Sequence, residues 1–178
     1  MSRTINVNTL DYTSVEQAKR ELWDYHRWLL RKADELRDKV ADLIASYADA
    51  GFNSSPADST LLGGMRIGTV DVQVTHSMKI AVVMAIGEDA VWIEFGAGVY
   101  YNTAAGTSPN PLVMQNGLEF NIGSYSLYDP NKTTWFFYDE NGDKQGTHGT
   151  PASMPFYRAI TTVATDIAAI AKGVFSTP

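Results

Sequence analysis

The chain has 178 residues, of which 44% are hydrophobic, and this is enough apolar material for the core of one domain. Its 14 basic and 20 acidic residues give a net charge of −6. That balance argues against a nucleic-acid-binding surface, because phosphate groups are neutralised by clustered lysine and arginine. The absence of cysteine excludes disulfides, thiolate catalysis and cysteine-ligated metal centres.

The start of the chain does not have the pattern of a targeting segment. Residues Met1 to Asp11 contain one arginine and no apolar run, so they do not predict a signal peptide. The longest unbroken apolar run, Ile80 to Ile86, is much shorter than the about 20 residues of a membrane-spanning helix. We therefore expect a protein without a membrane segment that is made in a cytoplasm.

Residues 13–50 have the pattern of one long helix, preceded by a short arm over residues 1–12. Overlapping capping-box sequences, Thr13-x-x-Glu16 and Ser14-x-x-Gln17, predict its start, and Gly51 predicts its end. Apolar residues recur between them at steps of three, four or seven, as on one face of a helix. They are Val15, Ala18, Leu22, Tyr25, Leu29, Leu36, Val40, Leu43 and Tyr47.

The length of this helix predicts that it bends or extends beyond the rest of the protein. About 36 residues at ~1.5 Å each span roughly 54 Å, whereas a compact globule of this size has a diameter of about 40 Å. Trp23, Trp28 and Leu30 lie off the main apolar face. Either a loop of the same chain covers them, or they form a subunit interface, where tryptophan is enriched.

Residues 66–98 contain a predicted pair of antiparallel strands and a short apolar segment. From Val70 onward apolar side chains take every second position, and the same even parity continues to Ile86. A turn is predicted near His76–Ser77. The short apolar segment, residues 90–98, contains one acidic residue, Glu94, and residues 99–132 follow as a predicted loop insertion.

Residues 133–150 predict a second hairpin with an aromatic first strand. The Asn141-Gly142 pair is a strong turn signal between two short strands. Because side chains alternate along a strand, we expect Trp135 and Phe137 on one face and Phe136 and Tyr138 on the other.

A C-terminal helix is predicted over residues 153–173, with Ser153 or a neighbour as its N-cap and Gly173 as its stop. Together these elements predict an α+β fold in which a long N-terminal helix packs on an antiparallel β-sheet, with a C-terminal helix. We expect residues 13–178 to form a single domain.

No residue pattern indicates an enzyme, a metal centre or a cofactor site. The three histidines, His26, His76 and His148, are not paired at metal-ligand spacing. The acidic turn at 139–143 resembles a calcium loop, but Thr150 stands where a bidentate glutamate is needed. We therefore expect no catalytic residues, no metal and no cofactor.

Two short motifs resemble those of the minor tail components of long-tailed bacteriophages, the tail-completion or neck proteins. The first is Val91–Gly96 (VWIEFG), with Glu94, Phe95 and Gly96 at the family positions. The second is Thr147–Ala159 (THGTPASMPFYRA), with the positions His148, Gly149, Pro155 and Phe156. The aromatic strand and acidic hairpin before the second motif fit the same layout. The chain differs from this family in its long 99–132 insertion and in Ala97, where threonine is common.

The resemblance implies a structural virion protein at the head–tail junction, assembled in the host bacterial cytoplasm. It implies a ring of identical subunits, most simply a hexamer, that contacts a head-closure protein and a tail-terminator protein. No cofactor, no membrane and no direct nucleic-acid binding are expected. The alternatives are another phage structural part (a tail terminator or a minor capsid protein) or an unrelated host enzyme or binding domain.

Overall fold

The computed structural model has an α+β fold: a long N-terminal helix, antiparallel strand pairs and a C-terminal helix. It describes residues 4–55, 70–87, 89–96, 108, 110–115, 135–138, 141–147 and 152–176. Its elements in chain order are α1 (Tyr12–Asn53), β1 (Asp71–His76), β2 (Ala81–Ile86), α2 (Ala90–Phe95), α3 (Pro111–Gln115), β3 (Trp135–Tyr138), β4 (Lys144–Thr147) and α4 (Pro155–Ser176).

Helix α1 starts one residue earlier than predicted, and its N-cap is Asp11. The Asp11 carboxylate accepts a hydrogen bond from the Thr13 backbone N–H at 3.0 Å, as N-cap carboxylates typically do. The capping boxes predicted at Thr13 and Ser14 are therefore wrong. The Ser14 hydroxyl instead accepts from the Asn8 backbone N–H at 2.9 Å, which fastens the arm to the first turn.

Helix α4 lies antiparallel along the C-terminal part of α1. At one end the rings of Phe52 and Phe156 meet edge to face, and at the other Trp28 meets Phe175. At about 1.5 Å per residue, these two contacts lie roughly 36 Å apart along α1 and about 29 Å apart along α4. Residues 12–27 lie N-terminal to the Trp28 contact and span about 24 Å. Ala18 within this segment is buried, and the expectation of an extending helix stays a prediction.

Gly51 and Gly173 do not end their helices, contrary to the prediction. Helix α1 continues to Asn53 and α4 to Ser176, and neither glycine has a positive φ angle. Gly51 has a different role: a Cβ at this position would lie 2.9 Å from the Cβ and 3.2 Å from the Cα of Pro155. Its missing side chain lets the start of α4 approach the end of α1.

We expect Gly51→Ala to destabilise the protein by about 1–2 kcal/mol, because the added methyl overlaps Pro155. Gly173→Ala is the matched control, since a Cβ there meets nothing within 4 Å. It should stabilise the helix by about 0.5–1 kcal/mol, the usual gain for alanine over glycine. Urea unfolding of both variants measures the difference, and equal effects of the same sign would contradict the role assigned to Gly51.

Strands β1 and β2 form an antiparallel hairpin that packs on α1, as predicted, with the turn at residues 77–80. The predicted face of even-numbered residues does not continue from β1 into β2. Even-numbered residues of β1 are paired with odd-numbered residues of β2, as Val74 is with Val83. The odd-numbered residues of β2 therefore join Val72 and Val74 on the side towards α1. The even-numbered apolar residues of β2 lie on the exposed face: Val82, Met84 and Ile86.

Strands β3 and β4 form the second predicted hairpin, with Phe136 opposite Gly146. Its turn contains Gly142 at φ 82°, a left-handed conformation that glycine adopts without steric cost. The side chains of Trp135, Phe136 and Phe137 lie outside the described set, so their predicted faces stay predictions.

The buried core lies where α1, α2 and α4 meet beside the first hairpin. Its largest fully buried side chain is Phe52, at 1% exposure. Partly buried residues of the first hairpin and Phe156 pack against it. The other members of the core are Ala48, Ala90, Ile93 and Ala159.

Candidate functional site

Glu94, the acidic residue of the first motif, is buried at the N-terminus of α4. Its side chain belongs to α2, and only 5% of the residue is exposed. The Oε2 atom accepts from the Phe156 backbone N–H at 2.8 Å, and Oε1 accepts from that of Tyr157 at 3.1 Å. The two sequence motifs, about sixty residues apart, are thus joined by a carboxylate that caps a helix.

The sequence around α4 explains why the cap comes from a distant residue. The first N–H groups of a helix have no partner within it. Pro155 occupies the first helical position and has no N–H, while Met154 before it has no side-chain oxygen and a φ of 54°. Of the predicted N-cap positions, Ser153 or a neighbour, the helix start at Pro155 selects the neighbour Met154, and the Ser153 hydroxyl lies 3.0 Å from that of Ser55. A negative charge at this end also interacts favourably with the helix dipole.

Asn110, a residue that the sequence analysis missed, completes the hydrogen bonds of Glu94. Its Nδ2 donates to Glu94 Oε1 at 2.8 Å, and the residue is 1% exposed. Its Oδ1 accepts from the Leu112 backbone N–H at 3.0 Å and so caps α3. The sequence signal was an asparagine followed by proline, a common start of a turn or helix, within the stretch treated as an insertion loop.

The other motif residues hold the backbone around this junction. Gly96 ends α2 at φ 78°, a conformation that favours glycine, and its N–H donates to the Trp92 carbonyl at 2.7 Å. The Phe95 carbonyl accepts from the Ser108 hydroxyl. The Ser153 N–H donates to the Ile93 carbonyl at 2.8 Å. His148 and Gly149 lie outside the described residues.

The junction is a satisfied structural site. Among the described residues, the Glu94 carboxylate receives three N–H donors, two from the backbone of α4 and one from the Asn110 amide. Within the part of the chain that the structure describes, no group of three histidine or acidic side chains is placed to hold a metal ion. The hydrogen bonds of Glu94 and Asn110 connect α2, α3 and α4.

The predicted interface residues divide into two kinds. Trp28 packs within the chain: its ring stacks on Tyr25 at 5.5 Å and meets Phe175 edge to face at 6.0 Å. Trp23 and Leu30 remain 60% and 55% exposed. Trp28 therefore packs on helices of its own chain and not under a loop, and a subunit interface at Trp23 and Leu30 stays a prediction. Leu22, at 57% exposure, adds to this surface.

Helix α4 also presents apolar residues to solvent. It is long and apolar enough to cross a membrane by length and composition, a property it shares with core helices of soluble proteins. Only 17% of its most apolar window is buried, and Ile160 and Ile167 are exposed. The search for unbroken apolar runs in the sequence did not find this helix, because Asp166 and other charged residues interrupt the apolar sequence of α4.

The chain matches no protein-family model, no curated protein and no solved structure. Its function is therefore inferred from its own residues and their contacts.

Proposed function

We propose that this protein is a structural virion subunit at the head–tail junction of a long-tailed bacteriophage, where it completes the tail and joins it to the filled head. The contact between Glu94 and Phe156 is the observation that carries the proposal. It joins the two motifs that resemble the tail-completion family, so their order and spacing in the sequence have a common structural reason. The proposed role needs no reaction and no cofactor.

The surface of α1 supports assembly into a ring. Residues 12–27 extend beyond the contact with α4, and Leu22, Trp23 and Leu30 are more than half exposed. A helix that continues past its contact with a neighbouring helix and exposes apolar side chains is suited to a head-to-tail contact, and such contacts close into a ring when the rotation between subunits permits. We propose a hexamer, with a head-closure protein on one side and a tail terminator on the other.

Deleting the gene from its phage or prophage and imaging the lysate by electron microscopy tests this role. We expect filled heads and tails of normal length that fail to join, with particles restored when the wild-type gene is supplied. Tails of irregular length would instead favour a tail terminator, and defective heads a minor capsid protein. Normal infectious particles would contradict a virion role and leave a host enzyme or binding domain.

A pair of tryptophan variants distinguishes an assembly surface from the fold. Trp23→Glu should leave the unfolding free energy within about 0.5 kcal/mol of wild type, because the side chain is mostly exposed. It should nevertheless fail to restore joined particles in the deletion strain. Trp28→Ala should destabilise the isolated protein by about 2–3 kcal/mol, since Trp28 packs on Phe175 and Tyr25. Full complementation by Trp23→Glu would exclude Trp23 from the interface.

A further inference from the structure

His76 lies at the end of β1 with each of its ring nitrogens facing a carboxylate of α1. Nδ1 is 3.1 Å from Asp38 Oδ1, and Nε2 is 3.0 Å from Asp42 Oδ1. One turn of helix separates these two aspartates, so the ring bridges both from the hairpin side. A further bond, from Arg37 Nη1 to the Met78 carbonyl at 3.1 Å, connects α1 to the turn of the same hairpin.

The apolar contact beneath the hairpin is incomplete, which gives these polar contacts more weight. A groove of about 400 Å³ lies between α1, β2 and the end of α4. Its lining includes Leu36 and Val40 of α1, Val83 of β2 and Phe175 of α4. An isolated two-stranded hairpin is marginally stable in water, so the bonds at its turn add to the packing of Val72 and Ala85 on the core.

The protonation of the imidazole decides how many of these bonds form. A neutral imidazole has one N–H and can donate to one carboxylate, whereas an imidazolium donates to both. The Arg37 guanidinium donates to Asp38 and, with a further contribution from the His76 ring, lowers the pKa of the Asp38 carboxyl. Asp38 therefore stays ionised in mild acid, and histidine is the side-chain type that ordinarily changes charge near neutral pH.

Within the described residues, the charged groups in contact with this ring belong to α1. On α1 the facing groups are Asp38 and Asp42, and Arg37 reaches the ring through Asp38. On the hairpin, Lys79 is the nearest charged residue in sequence.

We propose that His76, Asp38 and Asp42 form a pH-dependent clasp, which holds the β1–β2 hairpin on α1 when the imidazole is protonated and loosens when it is neutral. The direction of the pH dependence follows from the number of N–H donors on the imidazole. The second hydrogen bond is present in mild acid and is lost as the pH rises. At much lower pH the clasp weakens again, because the Asp38 carboxylate becomes protonated. The clasp does not depend on the proposed phage role.

Hydrogen–deuterium exchange of the full chain, corrected for the intrinsic pH dependence of exchange, tests the clasp. Protection of the amides of residues 71–86 should fall roughly threefold or more between about pH 5.5 and about pH 8, as expected for losing one half-exposed charged pair. Protection of α4 is the internal reference and should not follow this profile. A flat profile over residues 71–86 in the wild type would overturn the proposal.

Two variants separate the clasp from a merely structural contact. His76→Gln should give a flat hairpin profile, because the amide does not titrate. Asp42→Asn should also flatten the profile but keep protection, because an asparagine amide can donate to a neutral imidazole nitrogen. His26→Gln, a substitution of a histidine in α1, is the matched control and should keep the wild-type profile. Unchanged pH dependence in His76→Gln would assign the effect to another group and overturn the proposal.

Discussion

Replacing Glu94 with alanine is expected to lower the free energy of unfolding by about 3–4 kcal/mol. The change removes the acceptor for the N–H groups of Phe156 and Tyr157 and for the Asn110 amide. Each buried donor left without a partner costs about 1–3 kcal/mol, with the lower values where water can enter. Urea unfolding followed by circular dichroism measures the loss, because α4 contributes strongly to the helical signal.

Two further variants make this test specific. Glu94→Gln keeps the side-chain size but turns an NH₂ group towards an N–H donor, so we expect an intermediate loss of about 2 kcal/mol. Asp166→Asn is the matched control, because Asp166 is an exposed acid in the middle of α4. It should change stability by less than about 0.5 kcal/mol. A loss below 1 kcal/mol in Glu94→Ala would mean that α4 does not need its distant cap.

The second large effect is expected at the aromatic pair that joins the end of α1 to the start of α4. Phe52 is 1% exposed, and its ring meets Phe156 edge to face at 5.6 Å and 79°. Phe52→Ala should cost about 3–5 kcal/mol, as is usual when a buried phenylalanine leaves a cavity. Phe156→Ala should cost less, about 2–3 kcal/mol, because Phe156 is only partly buried.

A double-mutant cycle measures the contact between the two rings. We expect a coupling of about 1 kcal/mol between Phe52→Ala and Phe156→Ala, the typical value for an aromatic pair in contact. Leu10→Ala is the control for loss of an apolar side chain alone, since Leu10 is 97% exposed and should have almost no effect. Strict additivity of the two phenylalanine variants would show that the rings do not hold the helices together.

These two contacts lie side by side. Phe156 takes part in both, through its backbone N–H to Glu94 and through its ring to Phe52. The start of α4 is thus held by a polar and an apolar contact within one residue. A side-chain substitution at Phe156 leaves the backbone N–H to Glu94 in place and is therefore expected to act on the contact with α1, whereas one at Trp28 acts at the far end of α4.

The proposed assembly surface and the proposed clasp lie on different parts of α1. Trp23 belongs to the segment that extends beyond α4, while Asp38 and Asp42 bind the first hairpin. A change in pH should therefore alter hairpin protection without altering the stability of the Glu94 junction. Hydrogen exchange that resolves residues 71–86 separately from α4 can test this difference between the hairpin and the Glu94 junction in one experiment.

Local patterns in the sequence predicted α1, α4, both hairpins and the α+β class, whereas α3 lies in the stretch predicted to be an insertion loop. The apolar period along α1 and α4, the alternation from Val70 onward and the Asn141-Gly142 turn each depend on neighbouring residues, so they could be recognised from one chain. The predicted helix ends were less accurate. Asp11 could have been recognised as an N-cap from its type, whereas Gly51 was misassigned because its role depends on Pro155, more than one hundred residues away.

Only the tertiary structure decided what Glu94 does, which faces are buried and where the charges meet. A carboxylate caps a helix from sixty residues away only if α2 and α4 are packed together, and no sequence period records that distance. Likewise, the pairing of Val74 with Val83 depends on the number of residues in the turn, and it places Met84 outside instead of inside. The His76 bridge to Asp38 and Asp42 arises because the hairpin lies along α1, which brings isolated ionisable residues into hydrogen-bond distance.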